Sequence, residues 1–355
     1  VGGMSNALSH GERALGLESR VLVARSSRFD YPADTVLSSG SCTGLLPNAA
    51  LAMKCMAAAF RISKEYDVLH FNYGRTLIDS FSWGMHLLDL PLYTKKDIFV
   101  TYNGCDARLR FECAANHPES ACAIRECGAI GCRNLSDDGE KKKRFAKFDA
   151  IAKGIFAVNP DLMNYLPKRT VFLPYAVTGW DKLQPAPPSK ETSTFVIVHA
   201  PSNRIIKGTD EILRVIGEAQ QRYPGIVVRL VENLAHAEAL KCYQEADLVI
   251  DQLHVGWYGG FAVEAMKMKK PVAVYIRESD LHYVPKNMAC DVLQAMINVN
   301  KDTLFQTICE LYENRARLRT FRECQFEYVH QYHEPIEVAK QTKMAYEKVR
   351  AHPVQ

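Results

Sequence analysis

Short apolar runs alternate with amphipathic stretches along most of the chain. Runs such as Val68 to Phe71 and Ile98 to Tyr102 have the length of buried strands, and the segments after them carry apolar residues at helical spacing. After residue 193 the alternation starts again, with predicted strands at Phe195 to Val198 and Ile226 to Val231. Repeated strand–helix alternation indicates a doubly wound parallel sheet. We therefore expect an α/β protein with two Rossmann-like domains that face a cleft.

A polar segment with three prolines and no apolar period separates the two alternating regions, which is typical of an interdomain linker. The last predicted helix would cross back over the first domain. The predicted boundaries are 1–180 for the N-terminal acceptor domain, 109–135 for a cysteine-rich insertion within it, 181–193 for the linker, 194–334 for the C-terminal donor domain and 335–355 for the crossover helix.

The first residues contain two glycines, Gly2 and Gly3, directly before an amphipathic helix that Ser5 can cap. In an α/β domain a strand normally precedes such a loop. We therefore expect the first strand of this domain to lie upstream of Val1.

Composition narrows the class of protein. With 355 residues, 47% hydrophobic and 24% charged, the chain has the make-up of an ordinary globular protein with two cores. A net charge of +4 does not indicate nucleic-acid binding. No stretch approaches the ~20 apolar residues of a membrane-spanning helix. Most of the eleven cysteines stand singly in apparent core segments, which favours a reducing compartment and a cytoplasmic protein.

The most informative stretch is a glycine-rich loop between a predicted strand and a helix at residues 251–268. Backbone N–H groups from Tyr258, Gly259, Gly260 and Phe261 would meet the positive end of the helix dipole there, which suits an anion. Glu264 lies one turn into the helix and would present a carboxylate to ribose hydroxyls. This arrangement predicts a nucleotide site at the carboxyl edge of the sheet.

A second loop leads to the same edge. The segment His199-Ala-Pro-Ser-Asn-Arg-Ile-Ile-Lys207 follows the first strand of the second domain and precedes a helix. It brings two cations, Arg204 and Lys207, to the edge that carries Gly259. The guanidinium of Arg204 can donate two parallel hydrogen bonds, and the ammonium of Lys207 is a compact positive charge. Together they suit a diphosphate. The alternative is a solvated loop with two ordinary basic residues.

These two stretches together resemble the donor site of GT-B glycosyltransferases, close to the retaining family 4 group. The glycine loop, the Glu264-Ala265-Met266 motif and Pro271 are similar to those of that family. The resemblance implies that Arg204 and Lys207 hold the diphosphate of a nucleoside diphosphate sugar. It also implies that Glu264 binds the ribose and that the Tyr258–Phe261 backbone assists at the phosphates, without a metal ion. It further implies that Gly2 and Gly3 lie at the cleft edge of the first domain and bind the donor.

The chain departs from that family at two positions. Gly256 stands eight residues before Glu264, where many relatives carry a second glutamate that contacts the donor sugar. Asn103 stands where many relatives carry a histidine after the strand ending at Tyr102. Asparagine donates a hydrogen bond but cannot take up a proton. In a retaining reaction the leaving diphosphate is thought to accept the proton, so these departures need not abolish activity.

In the first domain, His70, Asn103 and Asp106 are the candidates for contact with the acceptor or the sugar. His70 ends a predicted strand, and its alternative role is a structural hydrogen bond. Trp257 and Tyr258 would stack on a sugar or base, or pack in the core.

A twenty-residue segment without helix or strand period contains four cysteines: Cys113, Cys122, Cys127 and Cys132. They predict a structural zinc site; two disulfides, unrelated buried thiols and an iron–sulfur cluster are the alternatives. His117 is a spare ligand.

The basic run Lys141, Lys142, Lys143 and Arg144 begins a predicted helix. It is either a solvated face or a contact to acidic lipid headgroups, which would suit a lipid-linked acceptor.

The hypothesis is a metal-independent glycosyltransferase that moves a sugar from a nucleoside diphosphate to a hydroxyl acceptor. Rivals on the same fold are a nucleotide-sugar epimerase and a phosphorylase. A rival of another class is a non-catalytic GT-B subunit that binds a partner or a glycan, which Gly256 and Asn103 favour.

Overall fold

Two parallel sheets form the framework of the chain. The structure, a computed structural model, describes residues 3–26, 31–39, 45–79, 86–124, 127, 135–187 and 194–351. The chain divides into two units, each with its own sheet: the first comprises Val1–Leu109, Ala129–Pro174 and Pro335–Gln355, and the second comprises Arg110–Gly128 and Tyr175–Glu334. The predicted α/β class with two Rossmann-like domains is confirmed.

The strands and helices follow one another in the predicted alternation. The strands are β1 (Leu22–Val23), β2 (Thr35–Val36), β3 (Val68–Asn72), β4 (Asp97–Tyr102), β5 (Gly154–Ala157), β6 (Val171–Phe172), β7 (Phe195–His199), β8 (Ile226–Leu230), β9 (Leu248–Ile250), β10 (Val272–Val274) and β11 (Ile297–Asn298). The helices are α1 (Met4–Ala14), α2 (Leu45–Glu65), α3 (Arg110–Asn116), α4 (Leu135–Ile151), α5 (Arg204–Lys207), α6 (Thr209–Arg222), α7 (His236–Gln244), α8 (Gly260–Lys267), α9 (Lys286–Ala295), α10 (Leu304–Glu313), α11 (Ala316–His333) and α12 (Pro335–Ala351).

In the first unit, β3, β4, β5 and β6 form a parallel sheet in chain order, and β1 pairs with β2 in a separate parallel ladder. The core includes Phe71, Val100 and Phe148, which are almost fully buried. Helix α12 packs on α1. A Cβ at Gly11 of α1 would lie 2.1 Å from the carbonyl oxygen of Pro335, so glycine permits this close approach. The terminal helix therefore belongs to the first unit, as expected.

In the second unit, five parallel strands lie in the order β11-β10-β9-β7-β8. Strand β7 pairs with β8 on one side and with β9 on the other. The chain runs from β7 to β8 in one direction and then returns past β7 to β9. The crevice at the carboxyl ends of β7 and β9 is thus a topological switch point, the usual ligand position in an open α/β sheet.

The division into units differs from the predicted boundaries in two places. Arg110–Gly128, expected within the first domain, groups with the second unit, where Glu119 Oε1 lies 3.1 Å from Arg277 Nη2. The second unit also begins at Tyr175, before the predicted linker. Leu183 is buried there, and the Ala186 N–H donates to the Met268 carbonyl over 3.0 Å. Residues 188–193 of the predicted linker lie outside the described residues.

Among the helices of the described ranges, none combines the length and the apolar character that crossing a membrane requires.

Candidate functional site

The loops after β7 and β9 bring Lys207 to the glycine loop, as the sequence predicts. Lys207 closes the four-residue helix α5, which Asn203 caps by accepting from the Ile206 N–H over 2.9 Å. The Leu253 N–H in the loop after β9 donates to the Lys207 carbonyl over 3.1 Å, which ties the two loops together. A Cβ at Gly259 would lie 3.2 Å from Lys207 Nζ. The ammonium group therefore stands beside the start of α8.

The buried carboxylate of Asp251 pairs with Lys207 in this site. It follows β9, is fully buried, and accepts from Lys207 Nζ over 2.5 Å and from the Gly259 N–H over 2.8 Å. The carboxylate holds the same two donors that a phosphate oxygen would use. Since Lys207 carries three donors, it can keep Asp251 and still reach a ligand. Asp251 thus orients the ammonium and the loop together.

The first turn of α8 adds further donors. In any helix the N–H groups of the first turn have no acceptor within the helix. Here they include those of Gly260 and Phe261, which follow the cap residue Gly259. Together with the helix dipole they form a positive concentration of partial charge beside Lys207. The Phe261 ring lies 4.6 Å from the Tyr243 ring, centroid to centroid, and serves packing.

Glu264 lies one turn further into α8 and is held by a histidine. Its Oε1 lies 2.7 Å from His236 Nε2 at the start of α7, and its side chain is only 6% exposed. The hydrogen bond to Glu264 raises the pKa of His236 above its ordinary value. The pair fixes one carboxylate oxygen, so the other has a defined direction in which to accept hydroxyl groups.

Two acidic residues hold Arg204 on the surface. Its Nη2 lies 2.8 Å from Asp210 and its Nη1 lies 3.0 Å from Glu232, which follows β8. The side chain is 43% exposed. Arg204 thus reaches the same sheet edge on the β8 side of β7, whereas Lys207 lies on the β9 side. The sequence predicts that both cations lie beside Gly259. In this structure Lys207 lies there, and Arg204 pairs with Asp210 and Glu232.

Gly256 is a position that only glycine fits. Its φ is +79°, and an added Cβ would lie 2.7 Å from Arg277 Cβ and 3.0 Å from Arg277 Cζ. The Arg277 N–H also donates to the Gly256 carbonyl over 2.9 Å. The space beside Gly256 therefore belongs to the arginine, which Asp280 and Glu119 hold at 3.1 Å each. An acidic side chain at position 256 is incompatible with this packing.

Trp257 and Tyr258 are core residues, which settles the alternative in favour of packing for their side chains. Both are fully buried, and their ring centroids lie 4.5 Å apart. The Tyr258 hydroxyl lies 2.6 Å from the Tyr328 hydroxyl and 2.8 Å from His333 Nε2, and His333 Nδ1 donates to the Tyr175 carbonyl over 2.7 Å. This buried chain fixes the glycine loop to the end of α11.

The candidates after β4 in the first unit are engaged by their own loop and by the loops that follow β3 and β5. Asp106 accepts from the backbone N–H groups of Asn103 and Gly104, at 3.0 and 2.6 Å, and burial raises its pKa. Asn103 Oδ1 accepts from the Tyr73 N–H over 3.2 Å. Arg108 forms a two-point ion pair with Asp161, at 2.6 and 3.0 Å. These contacts shape the loop.

His70 has both ring nitrogens occupied. Nδ1 lies 2.6 Å from the Tyr346 hydroxyl and Nε2 lies 2.7 Å from Thr101 Oγ1. Tyr346 in turn donates to Glu12 over 2.8 Å. Burial lowers the pKa of His70 to about 4. His70 therefore links β3 to α12 and α1, which is the structural alternative rather than acceptor contact.

The basic run at 141–144 is half buried, so the predicted four-residue lipid contact is wrong as placed. Lys141 is 1% exposed and donates to the Arg108 carbonyl over 2.8 Å. Arg144 is also buried, bound to Asp79 and to the Gly74 carbonyl. Lys142 and Lys143 are exposed. The two inward side chains share one face of α4, because they are three residues apart.

Two further predictions concern the glycines at the chain start and the four clustered cysteines. Gly3 caps α1 with φ +71°, whereas Gly2 lies outside the described residues. Cys113, Cys122 and Cys127 lie in the second unit, and Cys132 lies outside the described residues. Within the part of the chain that the structure describes, no group of three or more histidine, cysteine or acidic residues could hold a metal. Structural zinc thus remains a prediction.

Three residues of the site were missed from the sequence: Asp251, His236 and Arg277. Asp251 had a readable signal, since a lone acid directly after an apolar strand lies at the ligand edge of a parallel sheet. His236 had none, because its distance from Glu264 depends on how α7 packs against α8. Arg277 follows β10, and its position over Gly256 appears only in three dimensions.

No protein-family model matches the chain, and no curated protein sequence matches it. Solved structures do. Sucrose-phosphate synthase from Thermosynechococcus elongatus is similar with a TM-score of 0.60 at 16% identity, over 97% of this chain and 92% of the other. WaaG, a glycosyltransferase involved in lipopolysaccharide biosynthesis, is similar with a TM-score of 0.57 at 12% identity, over 96% and 94%. TarM is similar with a TM-score of 0.53 at 12% identity, over 83% of this chain and 58% of TarM. The chain has the GT-B fold of these proteins.

Proposed function

We propose that the chain is a glycosyltransferase that moves a sugar from a nucleoside diphosphate sugar to a hydroxyl acceptor. The observation that carries the proposal is the position of Lys207, whose ammonium lies beside Gly259 at the start of α8, with Glu264 one turn beyond. This set stands at the switch point between β7 and β9. Positive charge for a diphosphate and an acid for ribose hydroxyls therefore lie on one crevice.

The chemistry follows from where charge develops. As the bond between the sugar C1 and the diphosphate oxygen breaks, negative charge grows on the leaving diphosphate. Lys207 and the N–H groups of Gly260 and Phe261 stabilise it without reorganising, because Asp251 already holds the ammonium in place. The acceptor oxygen then bonds to C1 and passes its proton to the leaving phosphate on the same face. This sequence gives retention of configuration and requires no divalent metal ion.

Glu264 is proposed to fix the nucleoside end of the donor. His236 holds Oε1, and ribose hydroxyls donate to Oε2. Arg204 contributes a longer-range positive charge from the β8 side of the crevice. The similarity to GT-B enzymes, and a TarM structure that contains UDP, support this donor class.

The first experiment measures nucleotide binding. We expect UDP, GDP, ADP or dTDP to bind in calorimetry, and saturation to stabilise the protein by about 2–4 kcal/mol in a thermal-shift assay. The test variant is Lys207→Met with Asp251→Asn, which removes the cation without leaving a buried charge. We expect it to bind about 100-fold more weakly, as for the loss of a charge-assisted bond. The control is Lys241→Met, an exposed lysine of α7.

The second experiment separates an enzyme from a binding subunit. Donor sugars carrying the nucleotide that binds are incubated with the protein, and released nucleoside diphosphate is measured with and without EDTA. Slow hydrolysis or transfer that persists in EDTA and disappears in the double variant supports the enzyme. Binding without any turnover would favour the non-catalytic subunit, and no binding of any nucleotide would reject the site.

A further inference from the structure

The outer face of α2 exposes several large apolar side chains. The exposed fractions are 83% for Leu46, 62% for Met53, 47% for Met56 and 55% for Phe60. The inner face of the same helix carries Leu51, Cys55, Ala58 and Ala59, which are buried in the first unit. The helix is therefore apolar on both sides, although its own unit covers only one.

The exposed residues form one stripe. Leu46, Met53 and Phe60 follow one another at seven-residue intervals, which is almost two helical turns, and Met56 lies one turn from both Met53 and Phe60. At 100° per residue the stripe lies opposite the buried positions Leu51 and Ala58. A row of this kind is a surface for contact, whereas singly scattered apolar residues are normal.

The charges of α2 are mainly basic. Lys54, Arg61 and Lys64 are exposed, and Glu65 is the acidic residue of the helix, so its formal charge is +2, from three cations and one anion. Lys54 Nζ lies 3.2 Å from the Leu37 carbonyl, and Arg61 lies 3.7 Å from Glu65 on the surface. Basic residues therefore flank the apolar stripe over its second half.

Lys64 decides which kind of partner fits. It lies eighteen residues after Leu46, five full turns, and thus continues the line of Leu46, Met53 and Phe60. Within a dry protein interface this ammonium would be buried at a cost. At a lipid surface its apolar stem lies along the acyl chains while the charge reaches the headgroups. The apolar stripe and the basic residues together have the pattern of a helix that lies in the interface of a membrane.

We propose that the outer face of α2 binds the surface of a bilayer that carries anionic lipid headgroups. Leu46, Met53 and Phe60 would enter the boundary between headgroups and acyl chains, and Lys54, Arg61 and Lys64 would contact the anionic groups. This assigns membrane contact to a different element from the half-buried basic run of α4. The inference does not depend on the proposed glycosyltransferase activity.

The test is sedimentation of the full chain with vesicles. We expect binding to vesicles of phosphatidylcholine mixed with phosphatidylglycerol, much weaker binding to phosphatidylcholine alone, and weakening by salt. Met53→Ser with Phe60→Ser should reduce the partition coefficient at least tenfold, since two exposed apolar side chains are lost. Lys54→Gln, Arg61→Gln and Lys64→Gln should each reduce it about fivefold. All these side chains are exposed, so circular dichroism should show an unchanged fold.

The matched control is Leu293→Ser with Met344→Ser, which removes two exposed apolar side chains from α9 and α12. It should sediment like the parent chain. The proposal is overturned by three results: no binding to the anionic vesicles, an equal loss in the control, or full binding by the Met53/Phe60 variant. Concentration-dependent dimerisation in light scattering that the Met53/Phe60 variant abolishes would also overturn it, because a second copy would then cover the face.

Discussion

The two units have similar parallel sheets but use the polar residues at their carboxyl edges differently. In the first unit, Asp106 and Arg108 serve the loop after β4, one by capping backbone N–H groups and the other through Asp161. In the second unit, Lys207 and Glu264 are likewise held by partners, but they stand beside the donor-rich start of α8. Each unit thus contains a buried ion pair at the carboxyl edge of its own sheet, Arg108–Asp161 in the first and Lys207–Asp251 in the second. The second pair lies beside a helix N-terminus.

The difference arises from the order of the strands. In the first unit β3 to β6 lie side by side in chain order, so successive loops follow one another along the edge. In the second unit the chain reverses direction at β7, which makes the edge between β7 and β9 a topological switch point with a crevice. The same residue types therefore stabilise a loop in one unit and form the proposed ligand site in the other.

The largest expected effect comes from breaking the two buried ion pairs. Arg108→Met and Lys207→Met should each lower the unfolding free energy by about 3–5 kcal/mol in urea denaturation, because Asp161 or Asp251 is left as a buried, unpaired charge. Adding Asp251→Asn to Lys207→Met should restore most of the loss. Only the Lys207 variants should weaken nucleotide binding. An equal loss of affinity in Arg108→Met would remove the distinction between the units.

The second prediction concerns acid. Burial lowers the pKa of His199 and of His333 in the second unit to about 4, and that of His70 in the first. Since an unfolded histidine takes up its proton near pH 6.5, stability should be fully present above that pH. Between pH 6.5 and about 4, each histidine should cost about 1.4 kcal/mol per pH unit.

The slope of unfolding free energy against pH tests this directly. His333→Asn should flatten the slope by about 1.4 kcal/mol per pH unit, whatever its effect at pH 7. His70→Asn provides the first-unit counterpart. The raised pKa of His236 in the second unit and of Glu12 in the first act in the opposite direction. An unchanged slope in both variants would show that these histidines are not buried as neutral rings.

Apolar periodicity predicted the fold well, because strands and helices of both units bury continuous apolar surface. The glycine loop and Lys207 were also predictable, since loops after parallel strands meet at one edge. The face of α4 was readable but missed: Lys141, Arg144, Phe145 and Phe148 recur at helical spacing, so the two basic residues share the face of two phenylalanines. Because residues 141–144 are all charged, the helical spacing of the two buried basic residues is hard to recognise in the sequence.

Other features depend on tertiary packing and have no sequence signal. The two bonds of His70 involve Thr101 and Tyr346, and the latter is brought in only when α12 returns to the first unit. Gly256 is explained by Arg277, which reaches it from the next strand. This departure from the family pattern is therefore a steric requirement of the chain.

The third prediction compares two glycines of one loop. Gly256→Ala should lower the unfolding free energy by about 2 kcal/mol, because its φ of +79° and the nearby Arg277 side chain oppose any Cβ. Gly259 has φ −110°, which any residue adopts, and its Cβ would lie 3.2 Å from Lys207 Nζ. Gly259→Ala should thus keep stability within about 0.5 kcal/mol and weaken nucleotide binding about fivefold. If Gly256→Ala alone reduced affinity, the ligand would lie nearer Arg277 than Lys207.

The smallest expected effect is that of Arg204. Its ion pairs with Asp210 and Glu232 are on the surface, so Arg204→Ala should change the unfolding free energy by less than about 1 kcal/mol. As a point charge on the β8 side of the crevice, it should contribute about fivefold to nucleotide affinity, less than Lys207. Arg214→Ala is the matched control, since Arg214 also pairs with two acids on α6. A 100-fold loss in Arg204→Ala, with none in Arg214→Ala, would mean that the guanidinium leaves its acidic partners and binds the diphosphate directly.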